Sequence, residues 1–325
     1  MATRTIHLTR MALSRRAFAR DPCLMRDAIV ERGGYRIRVR TRGPAYGPDA
    51  LVLPGMGATA SELAPQIRLL RTLGYRTHLV DLPGFGLAPA LRKEDARFAQ
   101  LADLVGGVCD ALGIRQTLIL GHSLGGGIAL HVALRRRDLV SGLALLSPAA
   151  MGRSLVWTYK LFCVPLVGRA LLRPSRQGMR SYLRHFLIGS ARRDDAKFVE
   201  QVLRQDRYSP ARLRSMRAIV WANQPARLRR VGLLLWPGGE QSAFTLRERA
   251  AEFRGIPMLV LWGNEDRVIS SRDAVAFRAL NPDVEVHVAR GIAHMLPLEA
   301  AEWTNRHITR FDAARLRPLR VISAA

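Results

Sequence analysis

Between residues 35 and 152, short apolar runs ended by glycine or proline alternate with stretches whose apolar residues recur at helical spacing. YRIRVRTRG alternates at period two, and ALVLPG, THLVDLPG, TLILGHS and GLALLSPA read as buried strands. SELAPQIRLLRTLG, FAQLADLVGGVCDALG and LGGGIALHVALRRR lie between them, the first two closed by a glycine as a helix C-terminus should be. Repeated strand, helix, strand units imply right-handed crossovers, so the expected fold class is α/β with a doubly wound, mostly parallel sheet. The pattern resumes at Pro257 with PMLVLWG, SRDAVAFRALNPD, VEVHVARG and LEAAEWTNRHITRF.

About a hundred residues separate the two blocks, and they lack strand alternation while carrying Trp157, Trp221 and Trp236 among leucines and arginines. The expected organisation is a core of residues 33–152 and 256–325, a helical cap or lid of residues 153–255 over the C-terminal edge of the sheet, and a basic N-terminal arm of residues 1–32. Within the arm, Met11, Leu13, Ala17 and Phe18 suggest a narrow amphipathic helix.

Of the 51 basic residues all but Lys93, Lys160 and Lys197 are arginine, and the formal net charge is +25. Residues 153–254 hold a net +14 and residues 1–40 a net +7, so the basicity is concentrated in the two regions outside the repeating pattern. Such regions attract anionic headgroups or polyanions, and peripheral contact with an anionic membrane is one expectation; genomic bias toward arginine is the other. Nothing in the motifs supports specific nucleic-acid binding. No apolar run reaches the roughly 18 residues of a spanning helix. The first twenty residues hold five arginines and no acid but no compact apolar block, so a cytoplasmic, unprocessed protein is expected, with an organelle transit peptide as the alternative. Cys23, Cys109 and Cys163 are far apart and match no disulfide or zinc spacing, which leaves them as buried free thiols; no metal or other cofactor is expected.

The stretch LILGHSLGGGIAL places Ser123 between a strand and a helix with Gly121 and Gly125 on either side. A nucleophile on so tight a turn needs small neighbours, and a capping serine does not. Serine also needs a base and an orienting acid, which in this type of sheet follow in the order Ser, Asp or Glu, His. LVLWGNEDRV presents Glu265 and Asp266 after one strand, and VEVHVARGIAHM presents His294 after the next. His122 reads as packing beside the nucleophile, while His131 and His185 fall in helical stretches and His287 within a strand.

GHSLGG, WGNED followed by Arg267 and Val268, GIAHMLPLE, and DLPGFG together resemble the α/β-hydrolase superfamily over residues 33–151 and 256–312. That resemblance implies Asp266 rather than Glu265 as the acid, since the family's acid lies three residues after the glycine. It implies an oxyanion hole from the Leu124 amide and an amide in the loop after LVLPGMG. Where the family usually has His-Gly, this chain has Pro54-Gly55-Met56-Gly57, which removes a side-chain buttress yet leaves Met56 N–H as the donor. Pro83, Gly84 and Gly86 would shape a turn beside the pocket, with Asp81 tying it together. Serine rather than aspartate at the elbow argues against the haloalkane dehalogenases and epoxide hydrolases. The expected activity is hydrolysis of a carboxylic ester of a small or lipid-like apolar substrate; acyl transfer, carbon–carbon bond hydrolysis by the same triad, or a non-catalytic binding module are the alternatives.

Overall fold

The computed structural model of the chain describes residues 6–9, 23–85, 89–149, 176–205, 210–223, 246–280 and 283–317. Among these, nine strands form one sheet: β1 (Ile6–Thr9), β2 (Cys23–Arg32), β3 (Tyr35–Pro44), β4 (Asp49–Leu53), β5 (Arg76–Val80), β6 (Thr117–His122), β7 (Val140–Leu146), β8 (Met258–Gly263) and β9 (Glu285–Ala289), in the spatial order β1-β2-β3-β5-β4-β6-β7-β8-β9. The first three pairings are antiparallel, and every pairing from β5 to β9 is parallel.

The parallel strands are apolar on both faces because helices cover both. Along β6, Leu118 and Leu120 join the buried cluster on one face while Ile119 joins that on the other; in β8, Leu259 and Leu261 part from Val260 and Trp262 in the same way. On the first face lie α1 (Ala64–Thr72), through Ile67 and Leu70, and, late in the chain, the helix Ala301–Phe311, through Ile308 and Phe311. On the second lie α2 (Phe98–Leu112), through Leu101, Val105 and Val108, and α3 (Leu124–Arg135), through Ile128 and Val132.

Between β7 and β8 the described residues are helical: α4 (Arg176–Tyr182), α5 (Ala196–Gln205) and α6 (Pro210–Ala222). Their contacts fall on loops at the C-terminal ends of the parallel strands. Ser215 on α6 accepts the Leu91 N–H at 2.9 Å, a Cβ on Gly57 would meet the Arg212 guanidinium, and Ser190 bonds Glu265. Beyond β8 come α7 (Ala274–Leu280), the single turn α8 (Leu296–Glu299) and α9, the Ala301–Phe311 helix. Met295 and Leu298 share a buried cluster with Leu183, Phe198 and Val202 of the insertion. Trp157, Trp236, the 161–167 run and Cys163 lie outside the described residues.

The N-terminal boundary differs from the sequence expectation. Residues 23–32, assigned there to a separate arm, form β2 and pair along their whole length with β3. Ala28 and Val30 turn inward at period two, Gly33 and Gly34 both adopt positive φ as a two-residue hairpin requires, and Asp27 pairs across the strands with Arg38 and Arg42. The charged, outward face masked that alternation. The expected helix around residues 11–18 lies outside the described residues. Among the described residues, no helix is long and apolar enough to cross a membrane.

Candidate active site

Ser123 stands at the junction of β6 and α3 with φ 51° and ψ −113°, a backbone conformation that costs of the order of 1–3 kcal/mol and persists only where its surroundings hold it. They do so from both sides: the Ser123 N–H bonds Leu146 O at 2.9 Å, and its carbonyl accepts the N–H groups of Gly127 and Ala149 at 3.1 and 2.9 Å. The flanking glycines are required by close approach. A Cβ on Gly125 would sit 2.1 Å from Leu53 O, and one on Gly121 would sit 2.6 Å from Gly125 O.

The loops after β8 and β9 bring Asp266 and His294 to this serine. His294 Nε2 lies 2.9 Å from Ser123 Oγ, and His294 Nδ1 lies 2.8 Å from Asp266 Oδ2. All three are buried. Asp266 uses every lone pair it has: Oδ1 accepts the Val268 and Ile269 N–H groups at 2.8 and 2.9 Å, and Oδ2 also accepts Trp262 Nε1–H at 3.2 Å. Such a carboxylate is fixed in orientation and holds the Nδ1–H tautomer of the imidazole, leaving Nε2 as the acceptor of the serine proton. Glu265, next to Asp266, turns away and accepts the Ser190 N–H at 2.8 Å and the Ser190 hydroxyl; these bonds hold its carboxyl below the usual range.

Leu124 follows the serine as the first residue of α3, so its N–H has no intrahelical acceptor. Met56 lies in the loop after β4. There the Gly55 N–H is taken by the Glu62 carboxylate, and the Ala58 N–H bonds Gly55 O at 3.1 Å. The side-chain buttress expected to be missing from this loop is therefore supplied from Glu62. Glu62 Oε1 is in turn 3.2 Å from His122 Nδ1, whose ring donates from Nε2 to His294 O at 2.9 Å. The sequence reading gave His122 a packing role and did not single out Glu62.

Glu299, within the quoted GIAHMLPLE motif, was also overlooked. It accepts the Gly189 N–H of the insertion at 2.6 Å and the Ala293 N–H beside His294 at 3.3 Å, and burial pushes its carboxyl up to about 7. Asp81 pairs with Arg40 on β3 at 3.1 Å, so it braces the strand pair rather than the following turn. Phe85 N–H closes that turn on Leu82 O at 2.9 Å, with Gly84 at positive φ beneath Ser215; Gly86 lies outside the described residues. His131 stacks on Phe98, His185 bonds Ser181 O one turn back in the insertion, and His287 packs at a tilt against His307, all apart from Ser123. Cys109 is a buried thiol of α2, pushed up to about 12 by burial.

Residues 51–301 match the family model for the alpha/beta hydrolase fold. A 2-hydroxy-6-oxo-6-phenylhexa-2,4-dienoate hydrolase from Burkholderia cepacia is 27% identical over 284 residues, which is 86% of this chain and 92% of the relative. Among solved structures, a meta-cleavage product hydrolase from Pseudomonas fluorescens aligns with a TM-score of 0.67 at 20% identity, covering 86% of this chain and 94% of its own. A thermophilic esterase from Thermogutta terrifontis aligns with a TM-score of 0.67 at 19% identity, covering 92% of this chain and all of its own.

Proposed function

Because this chain belongs to the alpha/beta hydrolase fold family, we propose that it hydrolyses an acyl bond of a small or lipid-like apolar carbonyl compound with Ser123 as nucleophile, His294 as base and Asp266 as orienting acid. The observation that carries this reading is the unbroken hydrogen-bond chain from Ser123 Oγ through His294 to the fully bonded Asp266 carboxylate.

In the proposed cycle Ser123 Oγ attacks the carbonyl carbon while its proton passes to His294 Nε2. The carbonyl oxygen becomes an oxyanion, received by the Met56 and Leu124 N–H groups. Collapse breaks the bond to the leaving group, which departs with the proton from His294. Water then attacks the acyl-serine, giving its proton to His294, and the acid leaves as Ser123 recovers that proton. An ester thus becomes an acid and an alcohol. Asp266 holds the imidazole in orientation and stabilises the imidazolium.

A carboxylic ester is our first reading of the bond cleaved. A carbon–carbon bond next to a ketone is the second, favoured by the similarity over 86% of the chain to the Burkholderia cepacia dienoate hydrolase. There the dienol must first pass to its keto tautomer, so that the leaving carbon departs as a dienolate whose charge rests on the distal oxygen; it takes the proton from His294, and the same serine accepts the acyl group until water releases it.

A fluorophosphonate probe followed by peptide mass spectrometry tests the site: label on Ser123 is expected, and label elsewhere or none on folded protein refutes the assignment. Turnover of p-nitrophenyl esters against that of 2-hydroxy-6-oxo-6-phenylhexa-2,4-dienoate, followed by absorbance, then decides between the two bonds.

A further inference from the structure

Two buried polar side chains beside the triad have no part in that cycle. Glu62 comes from the short turn before α1, and His122 ends β6 immediately before the nucleophile; they are 5% and 2% exposed. Burying a carboxyl and an imidazole is costly unless their polar atoms find partners. Their partners are the two pieces of backbone whose placement the reaction depends on.

The chemistry of those partners fixes the protons. His294 O is a carbonyl and can only accept, so the His122 nitrogen 2.9 Å away, Nε2, carries hydrogen. Nδ1 then points toward Glu62 Oε1 at 3.2 Å, within ion-pair reach although not aligned as a hydrogen bond. A bare Nδ1 lone pair against a carboxylate would be repulsive, so a proton lies between them. The neighbouring Glu62 charge favours its residence on the ring: burial opposes the charged imidazole, but the carboxylate and the His294 carbonyl outweigh it and raise His122 above its ordinary value. The same Oε1 accepts the Gly55 N–H. Gly55 lets the three groups converge, since a Cβ there would lie 3.0 Å from His122 Nδ1 and 3.2 Å from Glu62 Oε1.

The path Gly55 N–H, Glu62, His122, His294 O therefore joins the loop holding the Met56 amide to the backbone of the base. We infer that Glu62 and His122 are positioning residues, which hold the Met56 donor and the His294 imidazole in one register around Ser123. This role rests on the hydrolase reading given above. It explains why the chain lacks a histidine in the loop itself. Pro54 occupies that place, and the buttress reaches the loop from Glu62, seven residues beyond Gly55. The His122 ring also lies 5.0 Å from the His294 ring, so displacement of one is felt by the other.

The test is the rate at which a fluorophosphonate probe labels Ser123 in the full chain, resolved into the limiting rate and the half-saturating probe concentration. Phosphonylation uses the same attack and places an anionic oxygen at the same amides, so it reads the register directly. Glu62→Ala and His122→Ala should each lower the limiting rate about 10- to 100-fold, with the half-saturating concentration changed by less than about 3-fold. Glu62→Gln keeps an acceptor for Gly55 N–H, and His122→Gln keeps a donor for His294 O; each should recover about half of the loss on a logarithmic scale, leaving it about 3- to 10-fold below wild type. Because the two act in series, the double alanine variant should be no slower than the slower single one. Rates are taken on protein that melts cooperatively, and the glutamine variants decide the matter if the alanine variants do not fold. Limiting rates equal to wild type in all folded variants would overturn the positioning role alone. Absence of label on Ser123 in wild type would overturn the hydrolase reading and the positioning role with it. Additive losses in the double variant would also overturn a single path.

Discussion

Glu299→Gln should remove a pH dependence from the stability of the protein. The Glu299 carboxyl bridges the helical insertion, through the Gly189 N–H at 2.6 Å, to the loop that carries His294, through the Ala293 N–H at 3.3 Å. Burial is the main cause of its rise from 4.5 to about 7; the Asp266 charge adds to the rise, and backbone donors partly oppose it. The folded chain thus binds this proton more tightly than the unfolded chain does. The resulting stabilisation is full below the ordinary carboxyl value, declines as pH rises, and is lost above about 7. At about 1.4 kcal/mol for each pH unit between the two values, the ceiling is ~3 kcal/mol. Glutamine imitates the protonated form, neutral and still offering an oxygen to the amides. Denaturant unfolding of both proteins at constant ionic strength from about pH 5 to pH 8 should therefore show glutamine gaining ~2–3 kcal/mol on wild type across the range. Parallel profiles, differing by less than about 0.5 kcal/mol in their pH trend, would refute a carboxyl held protonated by burial.

Asp266→Asn should lower turnover about 10⁴-fold by leaving the imidazole in the wrong tautomer, while Glu265→Gln, which touches Ser190 rather than His294, should cost less than about 10-fold; steady-state kinetics ranks them. Gly125→Ala places a Cβ 2.1 Å from Leu53 O and should destabilise the fold by about 1–3 kcal/mol or more while slowing labelling of Ser123, read from denaturant midpoints and probe kinetics. We propose peripheral contact of the arginine-rich residues 153–254, net +14, with anionic membranes. Co-sedimentation with anionic vesicles at low salt should fade as ionic strength rises and be absent with neutral vesicles; negligible binding to anionic vesicles at low salt would remove this proposal.

The parts of the fold that could be read along the chain were those set by local pattern. Runs such as LILGHS and MLVLWG are apolar at every position because both faces of the strand are covered, and the glycines around Ser123 announce a turn too tight for a side chain. Strand ends then place Asp266 and His294 in order. β2 escaped because, among its side chains that are described, Ala28 and Val30 are buried while Arg26, Asp27, Glu31 and Arg32 surround them with charge, two of these in the same register. Its signal was the Gly33-Gly34 pair, read as the start of the core rather than as the hairpin turn that joins two strands.

The contacts that escaped altogether are those between residues far apart in sequence. No periodicity links Glu62 to His122, or Glu299 to Gly189; each pair meets because the sheet order places β4 beside β6 and brings the insertion over the loop after β9. A buried carboxyl is the trace such a pair leaves, since a charge withdrawn from water must be bonded or neutralised. Glu62 and Glu299 resolve that demand differently. Glu62 lies 3.2 Å from the His122 imidazole, which is raised above its ordinary value, whereas Glu299 faces backbone amides with the Asp266 charge nearby and rises toward neutrality. Both bind the backbone on the two sides of the imidazole, Glu299 at Ala293 N–H and Glu62, through His122, at His294 O. The peptide between these anchors is the one that carries His294 to Ser123, so each carboxyl constrains the base without touching its ring.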